Sequence, residues 1–171
     1  HITPKTKAII AVHLTGVACD MIALRQLCDG RGIALIEDCA QAFDCQLNGQ
    51  TVGTFGDYGC FSFNEFKHIA CGDGGIVITN DDTRARRLRL ATDKCYDRTP
   101  EAATRNPTFL GANYRMTELQ GAVALAQLDK LDSIIARRRA WCGKRNDALA
   151  GIPGIHRPEV VNGCDPSWWF Y

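Results

Sequence analysis

The chain has 171 residues, 20 basic and 19 acidic side chains, a formal net charge of +1 and 46% hydrophobic residues. This length supports one domain with a real core. The balanced charge gives no electrostatic case for nucleic acid or an anionic membrane, and no apolar stretch has the length of a membrane span. The first residues lack the apolar core of a signal peptide. Because the chain does not begin with Met, the sequence leaves open whether a leader has been removed.

Nine cysteines are present, which is a high and odd number. None forms a Cys-x-x-Cys pair, and none has zinc-finger spacing to a histidine. Because several lie inside apolar runs, we expect reduced thiols that fill small core positions in a cytoplasmic protein, and no metal site. Cys39 and Cys71 lie near candidate site residues in the sequence, and neither is expected to be catalytic.

The first part of the chain predicts a βαβ unit. Residues 8–14 form a continuous apolar run, Asp20 can cap a helix over 21–28, and residues 33–37 form a second apolar run. Such runs are typical of strands buried on both faces, and two strands joined through a helix are parallel. Ligands of parallel sheets bind beyond the carboxyl ends of the strands. Asp38 lies at such an end.

The middle of the chain predicts short strands and turns. Residues 43–57 are rich in turn formers, with a hairpin expected at Asn48-Gly49. Strands are expected over 58–63 and 75–79, and a basic helix is expected from 82 or 83 to about 90.

The last third of the chain predicts two helices. Residues 91–111 have little periodicity and contain two prolines, so we expect a mobile loop there. A long helix is expected over 117–131, and Ser133 is the expected cap of a second helix that reaches Ala150. The aromatic residues 168–171 predict a strand without a neighbouring sheet.

A single lysine, Lys67, lies in the stretch Cys60 to Gly75. It follows Ser62 by five residues and precedes the glycine-rich turn 72–75 by five. Removal from water disfavours the ammonium form of a lysine, which makes the amine a nucleophile for carbonyl carbon. Taken alone, the pattern also fits a surface lysine beside a turn.

Two further motifs accompany the lysine. Asp38 ends an apolar run and Gln41 follows three residues later, while residues 111–120 read Gly-Ala-Asn-Tyr-Arg-Met-Thr-Glu-Leu-Gln. Together the three motifs resemble the sugar aminotransferases of the DegT/DnrJ/EryC1/StrS family, over about residues 6–149. Members of this family are longer, so the resemblance implies that the chain is the central part of an enzyme.

The resemblance implies the architecture of fold-type I enzymes that use pyridoxal phosphate. This is an α/β fold, a three-layer αβα domain with a mainly parallel central sheet. Residues 1–134 are expected to form part of the cofactor-binding large domain. Residues 135–171 are expected to form a connecting helix and the start of an incomplete small C-terminal domain. A single small αβα domain with its own function is the competing interpretation.

Five residues acquire expected roles from the resemblance. Lys67 is expected to form the Schiff base with pyridoxal phosphate and to move the substrate proton, and Asp38 to face the pyridine nitrogen. Gln41 is expected near the phenolic oxygen and Ser62 at the phosphate. Asn113 is expected at the phosphate of the neighbouring subunit, which implies a homodimer with shared active sites.

The residues alone leave simpler interpretations open. Asp38 can be a helix-capping acid, and Ser62 can be a strand-end hydroxyl bonded to backbone. Gln41 and Asn113 can be turn residues. His13 and His68 could also line the site, but both are expected to be structural.

The expected reaction is transfer of an amino group from glutamate or glutamine to a keto sugar, with a nucleotide-linked sugar as the leading substrate. An aminocyclitol aminotransferase uses the same machinery and is the runner-up. A sugar dehydratase of this family carries histidine in place of the lysine, so Lys67 argues against it. A non-enzymatic regulatory or scaffold protein that binds pyridoxal phosphate is the alternative of another class.

Two departures from the family pattern bear on the substrate. Asp73 stands where the family usually has Glu, which keeps the charge but shortens the side chain. Residues 63–66, Phe-Asn-Glu-Phe, differ from the small polar residues typical of the family at that place. Because these residues are expected to line the site, they leave the acceptor substrate open.

Overall fold

The computed structural model describes residues 1–99 and 107–171, and the centre of the loop expected over 91–111 lies outside this part of the chain. The helices and strands are β1 (Ala8–Val12), α1 (Met21–Asp29), β2 (Ala34–Asp38), β3 (Gln46–Leu47), β4 (Gln50–Thr51), β5 (Tyr58–Ser62), β6 (Gly75–Ile78), α2 (Asp82–Thr92), α3 (Glu118–Leu128), α4 (Leu131–Leu149) and β7 (Cys164–Asp165).

The central sheet has the strand order β1-β2-β5-β6. Strands β1, β2 and β5 are parallel, and β6 is antiparallel to β5. Val12, Asp38 and Cys60 are in register across the three parallel strands. The sheet is therefore mainly parallel, as predicted, and the architecture agrees with an incomplete αβα domain.

A second, three-stranded sheet has the order β4-β3-β7. Strands β3 and β4 form the predicted hairpin at Asn48-Gly49, where both residues have positive φ (53° and 78°). Positive φ at both central residues is what a two-residue hairpin turn needs. Strand β7 pairs with β3 in the register Leu47 to Cys164, which joins the end of the chain to its first third.

The helix starts follow from local capping. The Asp20 side chain accepts a hydrogen bond from the Ala23 N–H at 3.0 Å, as predicted. Thr117 and Gln120 form a reciprocal capping box at the start of α3. The prediction for Ser133 was wrong, because α4 begins at Leu131 and the Ser133 hydroxyl donates back to Lys130 O at 2.8 Å.

The strand predicted over residues 168–171 is not formed. Trp168 has a φ of +50°, which breaks an extended conformation. The preceding Ser167 N–H donates to Gly16 O at 2.9 Å, and the Trp169 N–H donates to Thr15 O at 2.8 Å. The backbone of this segment is thus bonded to a turn after β1 instead of to a strand.

The main core lies between α1, the central sheet and the small hairpin. Its fully buried members are large apolar side chains and small thiols, as predicted for the cysteines: Met21, Leu35, Leu47, Val52, Cys28, Cys39 and Cys45. All nine cysteines are free thiols. In the described part of the chain, no helix combines the length and the apolar character that a membrane span requires.

Candidate active site

Asp38 lies at the carboxyl edge of the parallel strands, as the βαβ pattern predicts. It is the last residue of β2, between Val12 of β1 and Cys60 of β5. Its Oδ1 accepts a hydrogen bond from the Ala40 N–H at 3.0 Å. Among the described residues, nothing is hydrogen-bonded to Oδ2. One carboxylate oxygen is therefore held by backbone, and the other can meet a cationic group of a ligand.

Gln41 lies on the turn that follows Asp38. Its Oε1 accepts a hydrogen bond from the Thr15 N–H at 2.7 Å. Thr15 lies in the short turn after β1 and has a left-handed backbone (φ 58°). Since the oxygen of the amide is engaged, its NH2 group is left to donate to a ligand.

Ser62 ends β5, the next strand of the same edge. Its Oγ accepts a hydrogen bond from the Asn64 N–H at 3.3 Å. A hydroxyl has one proton to donate as well as lone pairs to accept, so the Ser62 proton remains for an anionic ligand. Asp38, Gln41 and Ser62 thus keep one acceptor and two donors at the carboxyl ends of two adjacent strands.

The lysine loop, residues 63–74, is closed at its base by one residue. The Phe63 N–H donates to Gly74 O at 2.9 Å, and Phe63 O accepts from the Cys71 N–H at 3.0 Å. Gly74 has a φ of 150°, which residues other than glycine rarely adopt. The loop is therefore a compact turn between two antiparallel strands, with Lys67 at its centre.

Lys67 is half-buried, and its Nζ lies 4.3 Å from the ring centroid of Trp169. The Trp169 indole N–H donates to Phe66 O at 2.7 Å, so the ring is bonded to the loop it covers. In the part of the chain that the structure describes, Lys67 has no ion pair with a carboxylate. The amine is thus held near an aromatic face and kept free of a counter-ion.

His68, the next residue, is structural. Its Nε2 donates to Ser167 O at 3.2 Å, and the side chain is buried. Burial, with the positive charges of Arg138 and Lys67, lowers the pKa of His68 to about 4, although the bond to Ser167 acts in the opposite direction. A neutral imidazole therefore anchors the segment that carries Trp169.

Sequence reasoning missed the role of Glu37, which is fully buried beneath the site. Its carboxylate accepts hydrogen bonds from the N–H groups of Gly53 (2.7 Å), Phe55 (2.8 Å) and Gly56 (2.6 Å), and from His13 Nε2 (3.0 Å). A signal was present, because a charged residue inside a buried apolar run requires compensating partners.

The Glu37 carboxylate stays ionised in this setting. Burial opposes its ionisation, but the hydrogen bonds from His13, Gly53 and Gly56 outweigh burial, so the pKa of Glu37 is lowered. Only a glycine at position 56 lets the turn lie this close to β2, since a Cβ there would lie 2.6 Å from Leu35 O. The carboxylate thereby fixes the turn 53–56 against β2.

His13, Glu37 and Cys39 also form a compact group whose possible ligand atoms lie within 4.8 Å of one another. The two ring nitrogens of His13 are used, Nε2 by Glu37 and Nδ1 by the Cys19 N–H at 3.1 Å. Burial raises the pKa of the Cys39 thiol. The ring nitrogens of His13 and the carboxylate oxygens of Glu37, which a metal would need, are thus already engaged in hydrogen bonds.

Asn113 lies apart from the other four residues. It is exposed and forms an isolated antiparallel bridge with Asp93. Its Oδ1 accepts from the backbone N–H of Arg115 at 3.4 Å and from Arg115 Nε at 3.1 Å. No hydrogen bond within the described residues joins it to Lys67, Asp38, Gln41 or Ser62. Its amide NH2 faces no partner in this part of the chain.

The side chains of Asp38, Gln41, Ser62 and Lys67 fit the chemistry of pyridoxal phosphate. The cofactor needs an amine for its aldehyde, an anion for its ring nitrogen and donors for its oxygens. Lys67 offers an amine without a carboxylate partner, and Asp38 offers a free carboxylate oxygen. Gln41 and Ser62 each keep a donor, since their oxygens already accept backbone N–H groups.

The chain is similar to known proteins along nearly its whole length. The chain is 40% identical over 173 residues to the GDP-perosamine synthase of Vibrio cholerae, a match that covers 98% of this chain and 45% of that protein. It is 42% identical over 178 residues to the dTDP-3-amino-3,4,6-trideoxy-alpha-D-glucose transaminase of Micromonospora megalomicea subsp. nigra, covering 99% and 46%. The chain thus spans about half the length of the curated relatives it matches.

A solved structure has the same fold. The S. venezuelae protein DesV, solved in complex with a ketimine intermediate, superposes with a TM-score of 0.89 at 39% identity, over 98% of this chain and 44% of that one. The profile of the DegT/DnrJ/EryC1/StrS aminotransferase family matches residues 1–171. The chain therefore belongs to the DegT/DnrJ/EryC1/StrS aminotransferase family.

Proposed function

We propose that the full-length protein is a pyridoxal-phosphate-dependent aminotransferase that moves an amino group from glutamate or glutamine to a nucleotide-linked keto sugar. The observation that carries the proposal is the position of Lys67, an amine without a carboxylate partner among the described residues. It lies on the loop that follows Ser62 at the end of β5, and β5 pairs with β2, which ends at Asp38. Membership of the aminotransferase family supports the interpretation of these residues as a cofactor site.

Each residue has a distinct role in this proposal. Lys67 attaches the cofactor and, once released, holds the proton removed from the substrate carbon and returns it. Asp38 keeps the ring nitrogen protonated through its free oxygen, while the Gln41 amide and the Ser62 hydroxyl donate to the phenolic oxygen and the phosphate. Pyridoxal phosphate, when bound, supplies the electron sink for the substrate carbanion.

The names of the relatives support a nucleotide-linked substrate. One relative is named for a GDP-linked sugar and another for a dTDP-linked sugar. Since these relatives differ in the nucleotide, they support the class of substrate and leave the individual sugar to experiment. An aminocyclitol acceptor would use the same residues and differ in the shape of the pocket.

We assign residues 1–134 to the cofactor-binding domain and residues 135–171 to the connecting helix and the start of the small domain. We also propose a homodimer in which Asn113 completes the partner's site. Its exposure supports this role, because its amide NH2 is free to reach a ligand outside the chain. A symmetric dimer would present two such sites.

The test is a two-step experiment on the full-length protein. Loading with pyridoxal phosphate and then adding glutamate or glutamine should change the cofactor absorbance to that of its amine form. Adding GDP-, dTDP- or UDP-linked keto sugars should restore the first spectrum and yield an amino sugar, detected by mass spectrometry. Restoration by a keto-cyclitol alone would favour the aminocyclitol function. Cofactor binding without any response to donors would indicate a non-enzymatic protein.

A further inference from the structure

Three consecutive residues of the lysine loop each contact the C-terminal segment 167–169. Phe66 O accepts the Trp169 indole N–H at 2.7 Å, Lys67 Nζ lies 4.3 Å from the Trp169 ring centroid, and His68 Nε2 donates to Ser167 O at 3.2 Å. The contacts on either side of Lys67 fix the register between the two segments. The indole is thereby placed over the lysine amine.

The indole is held in a defined plane. The backbone N–H of Trp169 donates to Thr15 O at 2.8 Å, and the indole N–H donates to Phe66 O. The Phe170 ring packs beside it, with a centroid separation of 4.0 Å. A side chain bonded at its backbone and at its tip keeps one orientation, so the face that meets Lys67 is pre-organised.

An aromatic face differs from a carboxylate as a partner for a lysine. It attracts the ammonium through the ring quadrupole, but more weakly than a close counter-ion does in a dry site. Within the described residues, Lys67 has the ring and no acidic partner. The contact can therefore restrain the amine without preventing it from losing its proton.

We propose that Trp169 is a positioning residue for Lys67, whose indole face holds the lysine amine in place. The proposal rests on the catalytic role of Lys67 proposed above, but the contact itself can be tested without catalysis. The role requires a face that tolerates both the charged and the neutral amine, since the amine must take up and give back a proton.

The first test is the labelling rate of Lys67 in full-length protein freed of its cofactor. Acetic anhydride acylates only neutral amines, and peptide mass spectrometry compares Lys67 with the exposed Lys130 in the same sample. Trp169→Leu removes the ring, so labelling of Lys67 relative to Lys130 should rise about two- to tenfold. Unchanged labelling in this folded variant overturns the proposal.

Two further variants make this test robust. Trp169→Phe keeps an aromatic face with a weaker quadrupole and should raise labelling about twofold. If Trp169→Leu does not fold, the test rests on Trp169→Phe alone, and labelling of Lys67 equal to wild type in that variant overturns the proposal. Trp141→Leu is the matched control, because Trp141 is exposed and lies near another lysine, with Lys144 Nζ 5.8 Å from its ring. It should leave Lys67 labelling unchanged.

The second test uses the proposed reaction. Trp169→Leu should lower kcat and shift its pH profile while KM for the sugar stays near wild type, and Trp169→Phe should recover most of kcat. A change in KM alone would assign Trp169 to substrate binding and overturn the positioning role. If the wild-type protein has no transaminase activity, the proposed function fails, while the labelling result still decides whether the indole controls the amine.

Discussion

His13 and Glu37 form a fully buried pair, with His13 Nε2 3.0 Å from a carboxylate oxygen of Glu37. The pair joins the residue after β1 to the residue before Asp38 at the end of β2. It lies under the carboxyl edge of the sheet, and the His13 backbone N–H donates to Asp38 O at 3.1 Å. Its function is to keep the ends of two strands together, so that Asp38 and the Thr15–Gln41 bond have fixed positions.

Replacing Glu37 by Gln should destabilise the protein. The amide cannot accept all four hydrogen bonds, and its own NH2 would point at backbone donors, so the free energy of unfolding should fall by about 2 to 4 kcal/mol. Urea denaturation measures this loss, with the exposed Glu159→Gln as control. The pKa of Glu37 is lowered, so its stabilisation is present at neutral pH and is lost as pH falls below 4.5. A Glu37→Gln protein with wild-type stability would contradict this account.

The stability of the wild-type protein should also fall between pH 6.5 and 4 because of His68. The unfolded chain takes up a proton at the ordinary histidine pKa of 6.5, whereas the folded chain does so only at about 4. The expected loss across this interval is roughly 2 to 4 kcal/mol. His68→Gln keeps a donor for Ser167 O but cannot titrate, so its stability should be flatter over the same interval. His156→Gln, at an exposed position, should keep the wild-type slope.

Replacing Lys67 by Ala in the full-length protein should abolish turnover, because no amine remains to attach the cofactor or to transfer the proton. Borohydride reduction should fix pyridoxal phosphate on Lys67 of the wild type and on no residue of the variant. Peptide mass spectrometry locates the adduct. The exposed Lys144→Ala variant should behave as wild type. A reducible adduct on a different lysine would reassign the catalytic amine.

Replacing Asp38 by Asn should separate binding from chemistry. The side chain keeps its shape but loses the charge that holds the ring nitrogen protonated, so cofactor binding should persist while kcat falls by about two or more orders of magnitude. Titration of the cofactor and steady-state kinetics measure the two effects. The exposed Asp29→Asn variant is the control. Near-normal turnover in Asp38→Asn would remove Asp38 from the mechanism.

A shared site in a dimer predicts complementation between two inactive subunits. Asn113→Asp places a negative charge opposite the partner's phosphate and should be inactive, as should Lys67→Ala. In a mixed dimer, one site combines the intact Lys67 and the intact Asn113, so an equal mixture should regain about a quarter of wild-type activity. Sedimentation checks that mixed dimers form. Mixed dimers without activity would place Asn113 outside the partner's site.

Local patterns in the sequence located the strand-end residues. Asp38 follows a short apolar run, and parallel strands joined by a helix end at the same edge of a sheet, so its place at the carboxyl edge could be predicted. No helix joins β2 to β5, and the role of Ser62 was implied only by the family resemblance. The hairpin at Asn48-Gly49 was also predicted from local sequence, because its turn depends on the backbone freedom of two adjacent residues.

Contacts between distant parts of the chain could not be predicted in this way. Nothing in the spacing of residues 168–171 shows that this segment bonds to Thr15 and covers Lys67, and its aromatic composition suggested a strand instead. The wrong start of α4 has a local cause, since the backbone before Ser133 was already helical and left no cap position there.

The bond between Thr15 and Trp169 joins residues that are about 150 positions apart in the chain. A ribosome that adds roughly 5 to 20 residues per second reaches Trp169 about 8 to 30 s after Thr15. Throughout this interval the nascent β1 turn and the lysine loop lack the segment that covers them. The Lys67 environment is thus completed only once Trp169 has been synthesised, which separates the folding of the sheet from the completion of the Lys67 environment.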